Sequence, residues 1–365
     1  MKQALPDFQQ IFSQLANEGL LEGDWQQSVR DVLVKEHNEQ PWYVRVMVGF
    51  SAWLASWMLI GFVVGAAVVE SEQATLMLGV VLVVGAVVAR CVSDNDFMTQ
   101  MALAVSLAGE GLVVFAMSRI SDSFEATMFS FIVMETLLVA FYPDVVHRFL
   151  SSASIIMAFS ALLYKWEAQS FIHVIVVAGA AGFLLLLIKE NQFLARGQGK
   201  LILPVKWGVL FGQLSILMLS TIYVIPEIAE HMNIFPHPWI STLGLGAILL
   251  YLVMRSIKEE TFVLTQSGKA IIYGVCVLAV LAASMAPGLI MALILLLTGF
   301  ARADRVLTGV AIGFFAIFLA AFFYGIEVTL LMKSVLLVAT GLVLLAARFA
   351  MKHYFAYSQG AGTNG

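Results

Sequence analysis

Charged side chains are scarce in this sequence of 365 residues, and their scarcity excludes most soluble folds. Asp, Glu, Lys and Arg together make up 12% of the chain, whereas hydrophobic residues make up 61%. A typical soluble domain contains about 25% charged residues. A chain with a mean hydropathy of +0.92 cannot hide its apolar surface in a water-soluble core. The composition therefore predicts an all-α, polytopic integral membrane protein whose main partner is the lipid bilayer.

Other scarcities exclude several classes of function. The two cysteines, Cys91 and Cys276, both fall in apolar segments, so we expect neither a disulfide framework nor a cysteine metal site. The net charge of −4 argues against a nucleic-acid partner. The sequence has no glycine-rich phosphate loop, nucleophile elbow or paired catalytic carboxylates. We therefore expect no catalytic residue, no cofactor, no metal and no enzyme activity.

Apolar segments fill most of the chain after a polar N-terminal stretch. Twelve spans are predicted, at 46–69, 74–92, 98–118, 124–142, 149–166, 171–188, 205–225, 238–257, 269–285, 287–300, 307–324 and 334–350. The pair on either side of Ala286-Pro287-Gly288 is short, so a single re-entrant segment is the alternative there. The turn that contains Asp144, His147 and Arg148 is interpreted as an ordinary cytoplasmic turn.

The basic residues predict the orientation of these spans. The central loop, residues 189–206, carries four Lys and Arg, and a loop this basic stays cytoplasmic under the positive-inside rule. With twelve spans and both termini cytoplasmic, only three of the 20 basic residues fall on the outer side, namely Arg119, Lys165 and Lys333. This sorting supports both the direction and the number of spans.

Three parts are predicted along the chain: a cytoplasmic helical pair at 1–44, a membrane domain at 45–351, and a disordered cytoplasmic tail at 352–365. The first part has apolar faces at residues 8–15 and 25–33, at helical spacing. Two short amphipathic helices bury little surface on their own. Residues 1–40 are therefore expected to dock on the membrane surface, on the cytoplasmic loops or on a partner such as another membrane protein.

Polar residues inside the spans are the candidates for function. Glu110 lies roughly 18 Å from the start of its helix and Glu135 roughly 10 Å from the end of its own, so the two could face one interior about a turn apart. A buried carboxylate is costly in hydrocarbon and suggests a proton relay, a cation site or a substrate contact. The alternative is a protonated side chain that hydrogen bonds a neighbouring helix.

A weak internal similarity bears on this choice. Leu107-Ala-Gly-Glu110 matches Leu210-Phe-Gly-Gln213 in position along the third and seventh spans, which suggests two-helix internal repeats. Gln213 favours the structural alternative for Glu110, because an amide cannot relay protons.

Small and metal-binding residue types give two further patterns. Close helix crossings are predicted at three GxxxG pairs, namely Gly61 with Gly65, Gly208 with Gly212, and Gly309 with Gly313. The loop at 226–238 holds two carboxylates and two imidazoles, those of Glu227, Glu230, His231 and His237. Their spacing fits neither of the zinc-protease helix patterns, HExxH and HxxEH, so an ordinary solvated loop is predicted.

Two stretches carry a resemblance to a known family. They are Pro41-Trp-Tyr-Val-Arg-Val-Met-Val-Gly-Phe-Ser-Ala-Trp53-Leu54 and Asp96-Phe-Met-Thr-Gln-Met-Ala-Leu-Ala-Val-Ser-Leu-Ala-Gly-Glu110. Both resemble a bacterial family known as domain of unknown function 4401. The resemblance implies a multi-span protein of the bacterial inner membrane without an assigned activity. Gln is usual in that family where this chain has Glu110, and this departure weakens a proton-relay role.

Two functional interpretations follow. The favoured one is a non-enzymatic membrane scaffold or envelope component with a partner-docking N-terminus, because polar residues inside the spans are sparse. The alternative is a transporter-like protein for a lipophilic or small solute that uses Glu110, Glu135 and Gln213.

Overall fold

A computed structural model of the chain describes residues 71–92, 96–222, 235–259 and 266–325, with ten single residues at 47, 50, 51, 54, 55, 58, 61, 331, 334 and 338. The predicted N-terminal helical pair, the C-terminal tail, Gly65 and most of the first and twelfth predicted spans lie outside the described residues.

Eleven α-helices and one 3-10 turn account for nearly all of the described ranges, in which no strand occurs. They are α1 (Glu72–Val92), α2 (Asp96–Ser121), α3 (Phe124–Phe141), α4 (Val145–Lys165), the 3-10 turn Gln169–Phe171, α5 (Ile172–Ile188), α6 (Glu190–Ala195), α7 (Gly199–Ile222), α8 (Trp239–Glu259), α9 (Gln266–Ala282), α10 (Pro287–Ala301) and α11 (Arg305–Gly325). The predicted all-α class is therefore confirmed for this part of the chain.

Seven of these helices are long and apolar enough to cross a membrane: α1, α2, α3, α4, α5 with its preceding 3-10 turn, α7 and α8. Three more apolar helices, α9, α10 and α11, are shorter by the same measure. Each of these ten coincides with one predicted span. The total of twelve spans stays a prediction.

Helix ends gather at two opposite ends of the bundle. At one, which we call the Glu72 end, Arg119 lies 3.6 Å from Glu72 and thus ties the last turn of α2 to the first turn of α1. At the other, which we call the Asp144 end, Arg90 of α1 lies 3.9 Å from Asp144, the residue that precedes α4. The Asp144 end is the one that the basic residues predict to be cytoplasmic.

The region around Pro287 forms two separate helices that run between these ends. At the Glu72 end, Thr242 in the first turn of α8 donates a 3.0 Å hydrogen bond to the carbonyl of Ser284, just after α9. At the Asp144 end, Arg302, which follows α10, donates a 3.0 Å hydrogen bond to the carbonyl of Leu187. α10 therefore connects the two ends, and the pair of spans around Pro287 stays a prediction.

Arg148 compensates for a proline inside α7. Pro204 has no backbone N–H, so the carbonyl of Lys200 lacks its usual donor four residues along the helix. The Arg148 guanidinium supplies that donor, with its Nη1 3.0 Å from the Lys200 oxygen. Its Nε also donates to the carbonyl of Val139, 3.0 Å away in the last turn of α3. One half-buried arginine therefore joins α3, α4 and α7.

Glycines permit close crossings at some predicted positions and not at others. A Cβ atom on Gly208 would collide with the backbone of Phe149, and one on Gly212 would lie 3.1 Å from the carbonyl oxygen of Ala153. Both glycines thus bring α7 against α4. An added Cβ would meet no atom of the described part at the remaining predicted glycines, which are Gly61, Gly309 and Gly313.

Candidate functional site

A cluster of polar side chains lies buried where α2, α3 and α4 meet. The residues Glu110, Glu135 and His147 are 6%, 2% and 0% exposed, respectively. Two serines, Ser106 and Ser151, accompany them and are similarly buried. We call these five residues the Glu–His cluster.

Glu110 and His147 form the shortest contact of the cluster. The Nε2 atom of His147 lies 2.7 Å from Oε1 of Glu110. The hydroxyl of Ser106 donates to the same carboxylate oxygen at 2.8 Å and lies 3.0 Å from His147 Nε2. The three side chains therefore form a closed triangle that joins α2 to α4.

The second ring nitrogen of His147 is also hydrogen bonded. Its Nδ1 atom lies 3.0 Å from the hydroxyl of Ser151, one turn further along α4. A serine hydroxyl can either donate or accept a hydrogen bond. Ser151 can therefore donate to a neutral ring whose Nε2–H faces Glu110, and it can accept from an imidazolium. The cluster satisfies both protonation states of the imidazole.

Glu135 of α3 lies beside these polar groups and belongs to the same cluster. Its carboxyl group is close enough to the Ser151 hydroxyl and the Glu110 carboxylate to interact electrostatically with both. Its Oε2 atom is buried and has no hydrogen-bond partner among the described residues. Glu135 thus adds a second carboxyl group beside Glu110 and Ser151, with one acceptor oxygen unpaired.

The turn between α3 and α4 holds His147 in place. Asp144 caps α4, and its Oδ1 atom accepts a 2.8 Å hydrogen bond from the backbone N–H of His147. Tyr142 packs edge to face on the imidazole, with ring centroids 4.3 Å apart and an interplanar angle of 85°. These contacts fix the position of the ring without using either of its nitrogens.

A close helix crossing holds Glu110. Its neighbour Gly109 lies against Gly79 of α1, and a Cβ on either glycine would lie 2.8 Å from the carbonyl oxygen of the other. Real Cβ atoms essentially never come that close. The missing side chain at Gly109 therefore lets α1 and α2 touch and fixes the rotation of α2, which directs Glu110 towards α4.

Gln213, the third predicted polar candidate, does not join the Glu–His cluster. It is fully buried in α7, and its Nε2 atom donates to the carbonyls of Ile175 and Val176 in α5, at 3.1 and 2.7 Å. Its amide occupies space above Gly179, where a Cβ would collide with it. In the described part, Gln213 therefore joins α7 to α5 through these hydrogen bonds.

The interpretation of His147 as part of an ordinary cytoplasmic turn was wrong. Only two residues of α4 precede His147, so hydropathy alone could not distinguish a buried position from a solvated one. A usable signal was the spacing of polar pairs at i and i+4, Ser106 with Glu110 and His147 with Ser151, which places each pair on one helix face.

Metal binding has no support in the described part of the chain, where no group of three His, Cys, Asp or Glu could hold an ion. Three residues of the predicted solvated loop, Glu227, Glu230 and His231, lie outside it. His237 is exposed, with a φ of 50°.

An apolar groove runs along α1 and α3 beside the cluster. Its volume is about 630 Å³, and valines and aromatic rings line most of it. Met134 and Leu138, which flank Glu135 on α3, contribute to its wall. Pockets of about 300–1,000 Å³ are the size that holds small ligands.

The outer faces of these helices are apolar. Met77, Val81 and Leu278 are 66%, 61% and 66% exposed, and many other large aliphatic side chains share this exposure. Water-soluble monomers rarely expose contiguous apolar surfaces of this extent. Together with the seven long apolar helices, this surface defines a multi-pass helical membrane protein.

The chain belongs to the family described as domain of unknown function DUF4401, whose model matches residues 41–354. Neither a search of curated proteins nor a search of solved structures found a match.

Proposed function

We propose that this chain is a transporter-like membrane protein in which the Glu–His cluster binds and relays protons. The observation that carries the proposal is the continuous line from Glu110 through both nitrogens of His147 to Ser151, with Glu135 beside it. A proton that arrives at Glu110 can pass to Nε2 of a ring protonated at Nδ1, while the Nδ1 proton moves to Ser151 and the hydroxyl proton of Ser151 moves to the Glu135 carboxylate. The imidazole is neutral after the transfer, and its return to the Nδ1-protonated tautomer prepares the next one.

Charge balance supports proton binding by the cluster. With both carboxyls ionised and the imidazole neutral, the cluster would carry two negative charges inside the bundle. A net charge buried in a membrane protein is costly unless it is paired. Two arginines at this end have other contacts: Arg90 lies against Asp144, and Arg148 bonds the carbonyls of Val139 and Lys200. Two bound protons make the cluster neutral, so uptake of protons is the least costly way to stabilise it.

A purely structural role explains less of this geometry. An interhelical contact needs one hydrogen bond, and Gln at position 110 would supply it as well as Glu. The cluster instead uses both nitrogens of His147, adds a second carboxyl at Glu135, and leaves one oxygen of Glu135 unpaired. Glu110 supplies a titratable group, which Gln at this position would lack.

The apolar groove favours a lipophilic solute as the transported molecule. Its valine-rich wall offers little to a sugar or an ion, and two neighbours of Glu135 on α3, Met134 and Leu138, contribute to that wall. Gln213 bonds α5 instead and has no part in this path. A non-enzymatic role is part of the proposal, and so is docking of a partner by residues 1–40.

Twelve spans, a bacterial inner-membrane location and two cytoplasmic termini complete the proposed arrangement. The sorting of basic residues supports it. Reporter fusions test it: those after Glu72 and Glu230 should read periplasmic, and those after Gly199 and Gln359 should read cytoplasmic. A periplasmic C-terminus would mean an odd number of spans and would contradict the arrangement.

Proton flux into liposomes tests the proposed function. The purified chain is reconstituted into vesicles that enclose a pH-sensitive dye, and a potassium diffusion potential that is negative inside is imposed. We expect the native chain to acidify the interior and Glu110→Gln to abolish this flux while still unfolding in one cooperative thermal transition. Glu72→Gln, which removes an exposed carboxylate at the opposite end, is the matched control and should conduct normally. A Glu110→Gln flux equal to that of the native chain would refute the relay.

A further inference from the structure

Tyr142 carries a buried hydroxyl group at the Asp144 end of the bundle. It directly follows the last residue of α3, and its side chain is 0% exposed. Among the described residues, its Oη atom is the one buried hydroxyl oxygen that has no hydrogen-bond partner. Leaving such a group unpaired costs about 1–3 kcal/mol. Phenylalanine would fill the same space without this cost, so packing alone does not explain the hydroxyl.

The phenol ring of Tyr142 lies beside the Glu–His cluster. It packs edge to face on the His147 imidazole, with ring centroids 4.3 Å apart. It also belongs to a small buried apolar cluster with Val83 of α1. Val83 in turn reaches the residue before Glu110, because a Cβ on Gly109 would lie 2.8 Å from the Val83 side chain. The Tyr142 hydroxyl is accordingly close enough to the Glu110 carboxyl to interact with it electrostatically.

The same hydroxyl is also close to the ion pair at the Asp144 end, since both Asp144 and Arg90 interact with it electrostatically. This pair reaches the surface of the bundle. The Arg90 side chain is 19% exposed, and the next residue along α1, Cys91, is exposed. Glu110, by contrast, is only 6% exposed. The Tyr142 hydroxyl is therefore within electrostatic reach of both a water-accessible ion pair and the buried carboxyl at which the relay begins.

We propose that Tyr142 carries protons between water at the Asp144 end and Glu110, and so forms the entry to the relay. This inference rests on the proposed function, because it requires that the Glu–His cluster moves protons. A phenol hydroxyl can both donate and accept a hydrogen bond. When Oη accepts a proton from a hydronium ion on the Asp144 side, its own proton leaves through a water molecule to the Glu110 carboxylate. The hydronium ion thereby becomes water, the carboxylate becomes a carboxylic acid, and the phenol stays neutral.

Tyr142→Phe tests this entry in the proton-flux assay, because it removes Oη and keeps the ring that packs on His147. Flux through the variant should fall by about 100-fold, the lower end of what a positioned proton donor or acceptor contributes. The melting temperature should not fall, since the lost hydroxyl has no hydrogen-bond partner in the described part of the chain. Tyr251→Phe is the matched control and should conduct like the native chain, because Tyr251 is 60% exposed on α8.

An infrared titration separates a proton carrier from a residue that only positions His147. A carrier changes the rate of transfer and stores no proton, so the band of protonated carboxyls in Tyr142→Phe should disappear over the same pH range as in the native chain. A shifted pH range together with reduced flux would show a positioning role and would overturn the proposal.

The flux assay also distinguishes failure of this proposal from failure of the relay. If Tyr142→Phe conducts like the native chain while Glu110→Gln does not conduct, the entry through Tyr142 is refuted and the relay stands. If the native chain itself shows no flux, the proposed function is refuted and this inference with it.

Discussion

The hydrogen bond between Glu110 and His147 should be among the strongest between helices of this protein. Its Oε1 to Nε2 distance is 2.7 Å, both groups are buried, and Ser106 bonds the same oxygen. Interhelical hydrogen bonds in membranes average about 0.6 kcal/mol in double-mutant cycles and reach about 1.7. Because this bond joins two ionisable groups that can share a proton, we expect a coupling free energy of about 1.5 kcal/mol, near the top of that range.

A double-mutant cycle measures this coupling. Glu110→Leu, His147→Leu and the combined variant are compared with the native chain by equilibrium unfolding in mixed micelles. Each single change leaves a buried polar partner without its hydrogen bond and should lower the free energy of unfolding by about 1–3 kcal/mol. A control cycle that pairs Glu110→Leu with Gln213→Leu should be additive within about 0.5 kcal/mol, because the two side chains share no partner. A Glu110–His147 coupling no larger than the control would refute the strong, proton-sharing contact.

Two further cycles test packing contacts. Gly179→Ala should lower stability by about 1–3 kcal/mol, because the added methyl group overpacks against the Gln213 amide. Most of that cost should disappear when Gln213 is also changed to Ala. Melting temperatures of the variants measure both effects. Arg148→Leu should also lower the melting temperature. Pro204→Ala should reduce that loss, because alanine restores a backbone N–H for the Lys200 carbonyl. A loss of the same size in the double variant would contradict the compensation of Pro204 by Arg148.

Hydropathy was sufficient to predict the helical class and the position of each of the ten apolar helices that are described. Segment boundaries were less accurate where polar residues extend a helix beyond the hydrocarbon. α7 begins at Gly199, six residues before the predicted span at 205, because Arg148 completes the hydrogen bonding that Pro204 interrupts. That contact joins residues 52 positions apart and has no local signature.

The cluster shows a similar limit at the level of the site. Glu110 and Glu135 stood out because a carboxylate within an apolar span is unusual. His147 did not, since it is close to a capping aspartate and resembles a turn residue. Its burial depends on how α4 packs against α2, which the Gly79–Gly109 crossing controls. The predicted likeness of Glu110 and Gln213 concerned position along the helix, whereas their partners differ.

Infrared spectroscopy of the carboxyl groups tests the central claim most directly. Difference spectra of the reconstituted chain are recorded as pH is raised, and the C=O band of protonated carboxyls is followed. If the Glu–His cluster binds protons, the native chain should show a buried carboxyl band that disappears on deprotonation, and Glu110→Gln and Glu135→Gln should each alter that band. Glu72→Gln should leave it unchanged. A pH-dependent band identical in the native chain and in both cluster variants would contradict the account.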